Sequence, residues 1–432
     1  MSPTAQDTDL SGRALSPFEA ISAVVCETTV MSVRVTGPID QHALAAAWAV
    51  LLQENPVLSA TIGFGPEGLV LTGGQGPPAP ISSGRVNPVD MTTAPITFGQ
   101  PVAGLDVNTL GVDEHWVSLI THHAIADGIL LYHWFTALWR GYTDQRSGAP
   151  ITPAEPQPLP AAPETLLAER GVIKGSRTGA ERLDGVVVYP FRDPVGRRAG
   201  HDPLALHRVV RVLSPESTAA LRSAAKARNA TVHGLICGAI LVAERELLSV
   251  DGGVPVGLIS HVNIRTRLDP PVANAEGTNV IGYSCVQVNV ALDDDPAAIG
   301  DEVLTALRTD LADGVVQQTC LHIPEIVARW AAGGNLEPIS VSNIGEFAPL
   351  PLPDGLAVLD FQLRGNANYA VLAGANPPED LPLSTGRHHA VFSYGGRLHL
   401  QTLYPAAVLD PESAEALGTR IAGLLTALTE DA

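Results

Sequence analysis

Residues 121–128 read THHAIADG, and three of them, His122, His123 and Asp127, carry side chains able to move protons or hold a cation. Adjacent histidines followed by an aspartate allow four chemistries: a metal centre, part of a nucleophilic triad, a lone general base, or residues that only finish a strand and cap a helix. The flanking residues narrow the choice. "EHWVSLITHH" is rich in Trp, Val, Leu, Ile and Thr, which fits a strand buried on both faces. "DGILLYHWFTALWRGY" fits a helix that is apolar nearly all round. The motif is therefore a strand-to-helix turn. Successive strand side chains point to opposite faces, so His122 and His123 do not enter one cavity. Positions i and i+4 share a face only on an unbroken helix, so no metal is expected. Asp127 stands where an N-cap belongs. Spacing alone leaves a working base and a purely structural turn both open.

The elements that must position this turn repeat a plan. The chain has 432 residues, more than one simple core holds, so two lobes are expected. "MSVRVTG" reads as a strand, followed by Asp40 as N-cap of "QHALAAAWAVLLQ", where Leu44, Trp48, Leu51 and Leu52 share a face. The second half repeats the order: "HRVVRVL" as a strand, Ser214 as cap, Pro215 at the first helical position and Glu216 in the first turn. Thr231 opens a further helix. Asp410 and Pro411 open the last, with Leu417, Ile421, Leu424, Leu425 and Leu428 on one face. Between the halves, the proline-rich "GAPITPAEPQPLPAAPE" reads as an extended crossover.

Composition excludes several classes. A net charge of −19 argues against nucleic acid as a partner. From Arg170 to Arg228, however, twelve Arg and Lys stand against five Asp and Glu. That basic stretch reads either as a docking patch for an anionic partner or as a linker whose arginines lie on solvated helix faces. The first residues hold no apolar signal core and no stretch is long and apolar enough to span a membrane, so a cytoplasmic protein is expected. Cys26, Cys237, Cys285 and Cys320 lie far apart and read as buried free thiols. "GFGPEG" matches a dinucleotide loop as text, but Pro66 and the strand-like "LVLTGG" make it a hairpin turn. No GxSxG elbow and no Walker loop occur.

"HHAIADG" resembles the HHxxxDG signature of the chloramphenicol acetyltransferase-like and condensation-domain superfamily of acyltransferases. "LLAERGVIKGSRTGAERL", "HVNIRTRLDPPVANAEGTNVIGY" and "LRTDLADGVVQQTCLH" resemble the mycobacterial polyketide-associated acyltransferases, which esterify phthiocerol with mycocerosyl chains. "VSNIG" at Val341–Gly345 is similar to a serine-asparagine strand end of the wider superfamily. Such blocks span nearly the whole chain; residues 347–390 carry no part of the resemblance.

The resemblance implies an α/β (α+β) fold of two chloramphenicol acetyltransferase-like lobes with a substrate tunnel between them. The expected boundaries are 1–165 for the lobe bearing HHxxxDG, 166–204 for the crossover and 205–432 for the second lobe. It implies that His123 is the base and that His122, Asp127 and Gly128 shape the site, with Asp127 paired to an arginine of the other lobe. Arg265 is the candidate and Arg267 the runner-up. Ser342 and Asn343 are candidates to contact the substrate carbonyl, as oxyanion donors, or the pantetheine arm. The implied activity moves a fatty or polyketide acyl group from a carrier-protein or coenzyme A thioester to an alcohol, forming an ester in lipid biosynthesis. An amide-forming condensation domain is the alternative within the class, and a non-catalytic carrier-protein-binding scaffold the alternative outside it. An intact HHxxxDG weighs against the scaffold. No bound cofactor is expected, the acyl thioester being the co-substrate; the expected partners are an acyl carrier protein or polyketide synthase and a small-molecule or lipid alcohol, with a monomer as the working unit.

The chemistry is sound on first principles. A thioester is already activated, so one positioned base suffices to make an alcohol attack it. Histidine, with an ordinary pKa of about 6.5, can take the hydroxyl proton and return it to the leaving thiolate. Such help contributes about 10²–10⁴-fold. No cysteine or serine near His123 in sequence offers a covalent intermediate, so direct transfer is expected.

Overall fold

The computed structural model describes residues 12–66, 68–74, 80–149, 153–183, 206–248, 251–326, 328, 339–367, 387–405 and 409–430. Its strands are β1 (Arg13–Ala14), β2 (Thr28–Thr36), β3 (Thr61–Gly65), β4 (Gly68–Thr72), β5 (Ala103–Gly111), β6 (Glu114–His122), β7 (Leu206–Val212), β8 (Val254–Asn263), β9 (Ile281–Val290), β10 (Ile339–Phe347), β11 (Ala357–Asn366), β12 (His388–Tyr394) and β13 (Arg397–Pro405). Its helices are α1 (Pro17–Val24), α2 (Gln41–Glu54), α3 (Gly128–Ser147), α4 (Pro163–Glu169), α5 (Pro215–Ala227), α6 (Val232–Glu246), α7 (Pro296–Ala312), α8 (Val315–Gln318) and α9 (Pro411–Glu430). The chain forms two compact units, each assembled from separated stretches: Met1–Leu166, Pro270–Val280 and Pro349–Gly374 in one, and Leu167–Asp269, Ile281–Ala348 and Ala375–Ala432 in the other.

The first unit carries an antiparallel sheet of order β11-β2-β6-β5 and a smaller one of order β1-β4-β3. β6 is an inner strand, buried along nearly its whole length, and its end lies opposite the start of β2, with Thr28 facing His122 in register. "GFGPEG" is the tip of the β3–β4 hairpin. Asp40 caps α2 by accepting from the N–H groups of His42 and Ala43, and Leu44, Trp48, Leu51 and Leu52 are buried on one face, as their spacing predicts. Two hydrogen bonds tie α2 to α3. The Trp134 indole donates to Asn55 Oδ1 at 3.0 Å, and the Asp40 N–H donates to the Tyr142 hydroxyl at 3.0 Å. The sequence predicts an α3 apolar nearly all round. Instead it has one broad buried face (Leu130, Trp134, Phe135, Leu138, Trp139) with His133 and Arg140 exposed, because the helix lies against the body of the unit on one side only.

The second unit is built on a mixed sheet of order β7-β13-β12-β10-β8-β9, in which β10 runs parallel to both β12 and β8. Helices α5, α6 and α9 cover one face, where Ile240, Val256, Leu258, Val341, Leu400 and Ile421 share a core. Ser214 and Thr231 cap α5 and α6 as predicted. Helices α6 and α7 touch backbone to backbone. A Cβ on Gly238 would lie 1.7 Å from the Pro296 carbonyl oxygen, so only glycine fits there.

Several basic residues of the stretch have counter-charges within the chain. Arg182 pairs with the fully buried Asp310 at 2.7 Å, and Arg177 bridges Asp310 and Asp313. Lys174 pairs with Glu325, and the Gly175 N–H donates to Gln318. Farther on, Arg211 and Arg222 pair with Glu415 and Glu346. Part of the crossover is thus strapped to α7 and Glu325 by ion pairs and to α8 by a hydrogen bond; residues 184–205 lie outside the described residues. The four cysteines are free and buried. No helix among the described residues is long and apolar enough to cross a membrane.

Candidate active site

The histidine motif is a turn between β6 and α3, and each residue has a distinct task. β6 ends at His122, and residues His123–Ile125 form a single 3₁₀ turn. His123 is therefore not a strand residue, and the pleat by itself does not separate the two rings. Capping does. His122 is the N-cap of the turn: its Nδ1 accepts from the Ala124 N–H at 3.1 Å, which leaves the ring proton on Nε2. Burial, helped by the neighbouring His123, pushes its pKa down to about 4. His122 is thus a neutral, structural imidazole at physiological pH.

His123 is half-buried. Its main chain is held at both ends. The N–H donates to the Glu27 carbonyl at 2.7 Å, and the carbonyl accepts from the Asn279 side-chain amide at 2.5 Å. Its Nδ1 is buried with no hydrogen-bond partner among the described residues. The main chain from which the ring projects is thus fixed on both sides.

Asp127 is the N-cap of α3. Its Oδ1 accepts from the Ile129 and Leu130 N–H groups at 3.0 Å, and its Oδ2 accepts from the Val280 N–H at 3.1 Å. Gly128 is the first residue of the helix. Asn279 and Val280 come from the stretch Pro270–Val280, far away in sequence but part of the same unit. Thr278, just before them, donates to the buried Glu19 at 2.7 Å. Three consecutive residues thus brace the turn and the helix α1 beside it. Sequence reading missed them, since nothing in "GTNV" marks groups that pair across more than 150 positions.

In the second unit, Arg265 and Arg267 lie in the 3₁₀ turn after β8, and burial separates them: Arg265 is 2% exposed, whereas Arg267 is open to solvent. The Arg265 N–H donates to Asn263 Oδ1. Ser342 and Asn343 differ sharply. Ser342 Oγ is 2.6 Å from His261 Nδ1 on the adjacent strand, while Asn343 Oδ1 accepts from the Gly345 N–H within a bulge of β10. His261 stacks on His388, with centroids 5.4 Å apart, and Tyr283 meets it edge-on. His388 in turn pairs with Ser340 Oγ at 2.8 Å. These five side chains line the sheet face opposite the helix-covered core.

The fold also brings a thiol near the motif, since Cys26 adjoins the Glu27 whose carbonyl holds His123. Burial pushes that thiol up, away from the reactive thiolate. Among the described residues, no group of three or more His, Cys, Asp or Glu side chains is placed to hold a metal ion.

Residues 203–403 match the family model described as the phthiocerol/phthiodiolone dimycocerosyl transferase C-terminus. The chain is 28% identical over 363 residues to the phthiocerol/phthiodiolone dimycocerosyl transferase of Mycobacterium ulcerans (strain Agy99), a match covering 82% of this chain and 85% of that protein. Among solved structures, polyketide synthase associated protein 5 from Mycobacterium tuberculosis superposes with a TM-score of 0.76 at 25% identity, covering 97% of this chain and 98% of that one. The fold is also similar to the first condensation domain of the CDA synthetase, with a TM-score of 0.65, 16% identity and coverages of 97% and 96%. Trichothecene 15-O-acetyltransferase from Fusarium sporotrichioides gives a TM-score of 0.73 at 14% identity, with coverages of 96% and 95%.

Proposed function

Taking the chain as an acyltransferase homologous to the phthiocerol/phthiodiolone dimycocerosyl transferases, we propose that it transfers a fatty or polyketide acyl group directly from a thioester to an alcohol, with His123 as general base. The observation that carries this is the contrast between the two histidines: His122 is a buried, neutral cap, and His123 is a half-open imidazole on a fixed backbone. His123 takes the proton of the acceptor hydroxyl as its oxygen attacks the thioester carbonyl. The C–S bond then breaks, and the imidazolium returns the proton to the departing thiolate. Direct transfer is supported by the buried, high-pKa state of the neighbouring thiol.

The donor we propose is an acyl chain on the phosphopantetheine arm of a carrier protein or on coenzyme A, and the acceptor a lipid alcohol. The relatives' names supply the substrate class: they are dimycocerosyl transferases, and one structural neighbour is a polyketide synthase associated protein. Asp127 and Arg265, both buried, are proposed as an ion pair that supports the site, and Ser342 as a contact for the donor arm or its carbonyl. Asn343 is a weaker candidate, its amide oxygen being used within the β10 bulge. The test is product analysis by mass spectrometry after mixing the protein with a panel of acyl thioesters and alcohols. Esters formed by wild type and lost in His123→Ala support the reading; amides only, or esters made equally by the variant, overturn it.

A further inference from the structure

We infer that Asn279 is a positioning residue for His123, fixing the place of its backbone and the tautomer of its ring. The inference rests on the reading of His123 as the base. The geometry is direct: the Asn279 carboxamide is 2% exposed and its Nδ2 lies 2.5 Å from the His123 carbonyl oxygen. The orientation of this amide is forced, because a carbonyl only accepts and only the NH₂ end can donate. Its neighbours act in the same sense, Thr278 on Glu19 and Val280 on Asp127, so the residue sits in the middle of a brace that ends on both sides of the motif.

The forced orientation leaves Asn279 Oδ1 buried and without a hydrogen-bond partner among the described residues, and His123 Nδ1 is in the same state. Orphaned buried polar atoms are rare in folded proteins. Here two of them belong to residues already joined by a hydrogen bond. They complement each other when Nδ1 carries the proton, as donor to acceptor through one bridging water. With the proton on Nε2 instead, both atoms would be acceptors, and a third group would have to supply two donors. The complementary arrangement leaves the Nε2 lone pair on the ring to receive the substrate proton, which is the state a base requires. Asn279 thereby gives the buried edge of the ring a task without touching the reacting atoms.

The test uses the full chain with Asn279→Ala and Asn279→Asp, and His123→Ala as control. For Asn279→Ala the inference expects kcat about 10²-fold lower with KM for the thioester within about twofold, since base placement is lost and substrate binding is not. Nitrogen-15 imidazole spectra, with the His123 signal assigned by its absence in His123→Ala, should show Nδ1 protonated in wild type and that preference lost in Asn279→Ala. Asn279→Asp keeps an acceptor and loses the donor, so it should retain the tautomer and recover part of the turnover. Turnover of Asn279→Ala within twofold of wild type overturns the inference. So does a loss of turnover that follows the loss of thermal stability while the tautomer stays as in wild type, which would make Asn279 a structural clamp only. Retained turnover in His123→Ala would overturn the base assignment instead, and the tautomer spectra would still decide whether Asn279 governs the ring.

Discussion

Ser342 Oγ and His261 Nδ1 stand 2.6 Å apart on the parallel strands β10 and β8, paired in register on the sheet face opposite the core that α5, α6 and α9 cover. If Ser342 contacts the donor arm, losing that one hydrogen bond costs about 1 kcal/mol, roughly a fivefold rise in KM. Ser342→Ala should therefore raise KM for the thioester with kcat nearly unchanged, and His261→Phe should do the same through the misplaced serine. Steady-state kinetics with unchanged KM in both variants would remove Ser342 from the site.

The two motif histidines should separate in a different way. His123→Ala is expected to lower turnover by about 10²–10⁴-fold with little change in melting. His122→Ala removes the cap on the Ala124 N–H. It should cost about 1 kcal/mol of stability and retain most of the activity. Equal loss of turnover in the two, with unchanged melting, would sink the assignment of a single base.

What the sequence could and could not show is clearest at a second pair of histidines. Alternation predicts that neighbours on a strand face opposite ways, and His388 and His389, both within β12, do so. His388 joins Ser340 and His261 on the face opposite the helix-covered core, while His389 is buried against Glu244 and Thr402. At His122 and His123 the same rule has no purchase, because the strand stops one residue earlier than the composition of "EHWVSLITHH" indicates. Caps at Asp40, Ser214 and Thr231 were legible because each depends on residues within one turn of helix. The brace by Thr278, Asn279 and Val280, and the buried pair of Glu244 with Arg387 at 2.7 Å, depend on pairings across 143 or more positions. A single sequence carries no local signal for those.

Acid should weaken the fold through His122. Its folded-state pKa of about 4 lies below the ordinary 6.5, so the folded chain binds this proton less readily than the unfolded one. The associated stability is complete above about pH 6.5, declines as pH falls and is gone below about pH 4, amounting to about 3 kcal/mol. Thermal melts of wild type and His122→Gln between pH 7 and 4 check this: the variant should lose less melting temperature over that window. His233, whose pKa burial also lowers to about 4, supplies part of the slope that remains. Parallel curves for the two proteins would show that His122 titrates normally.

The last prediction concerns Asp127 and Arg265. Each is nearly fully buried, at 4% and 2% exposed. An ionised group out of water requires compensation. The hydrogen bonds that Asp127 accepts from Ile129, Leu130 and Val280 come from neutral main-chain groups, which stabilise the carboxylate without cancelling its charge. A guanidinium would cancel it, and of the two candidate arginines Arg265 is the one withdrawn from solvent. Removing one member of a buried pair typically costs about 3–5 kcal/mol, because the survivor is left buried and alone. Asp127→Ala and Arg265→Ala should each lower stability and turnover, and the double variant should be less destabilised than the two losses added. A double-mutant cycle on denaturant unfolding measures the coupling. Asp127→Asn keeps one cap oxygen for the α3 N–H groups but loses both the negative charge and the acceptor for the Val280 N–H, so it should lose stability. Strict additivity in the cycle, together with wild-type stability and turnover in Asp127→Asn, would reduce Asp127 to a helix cap.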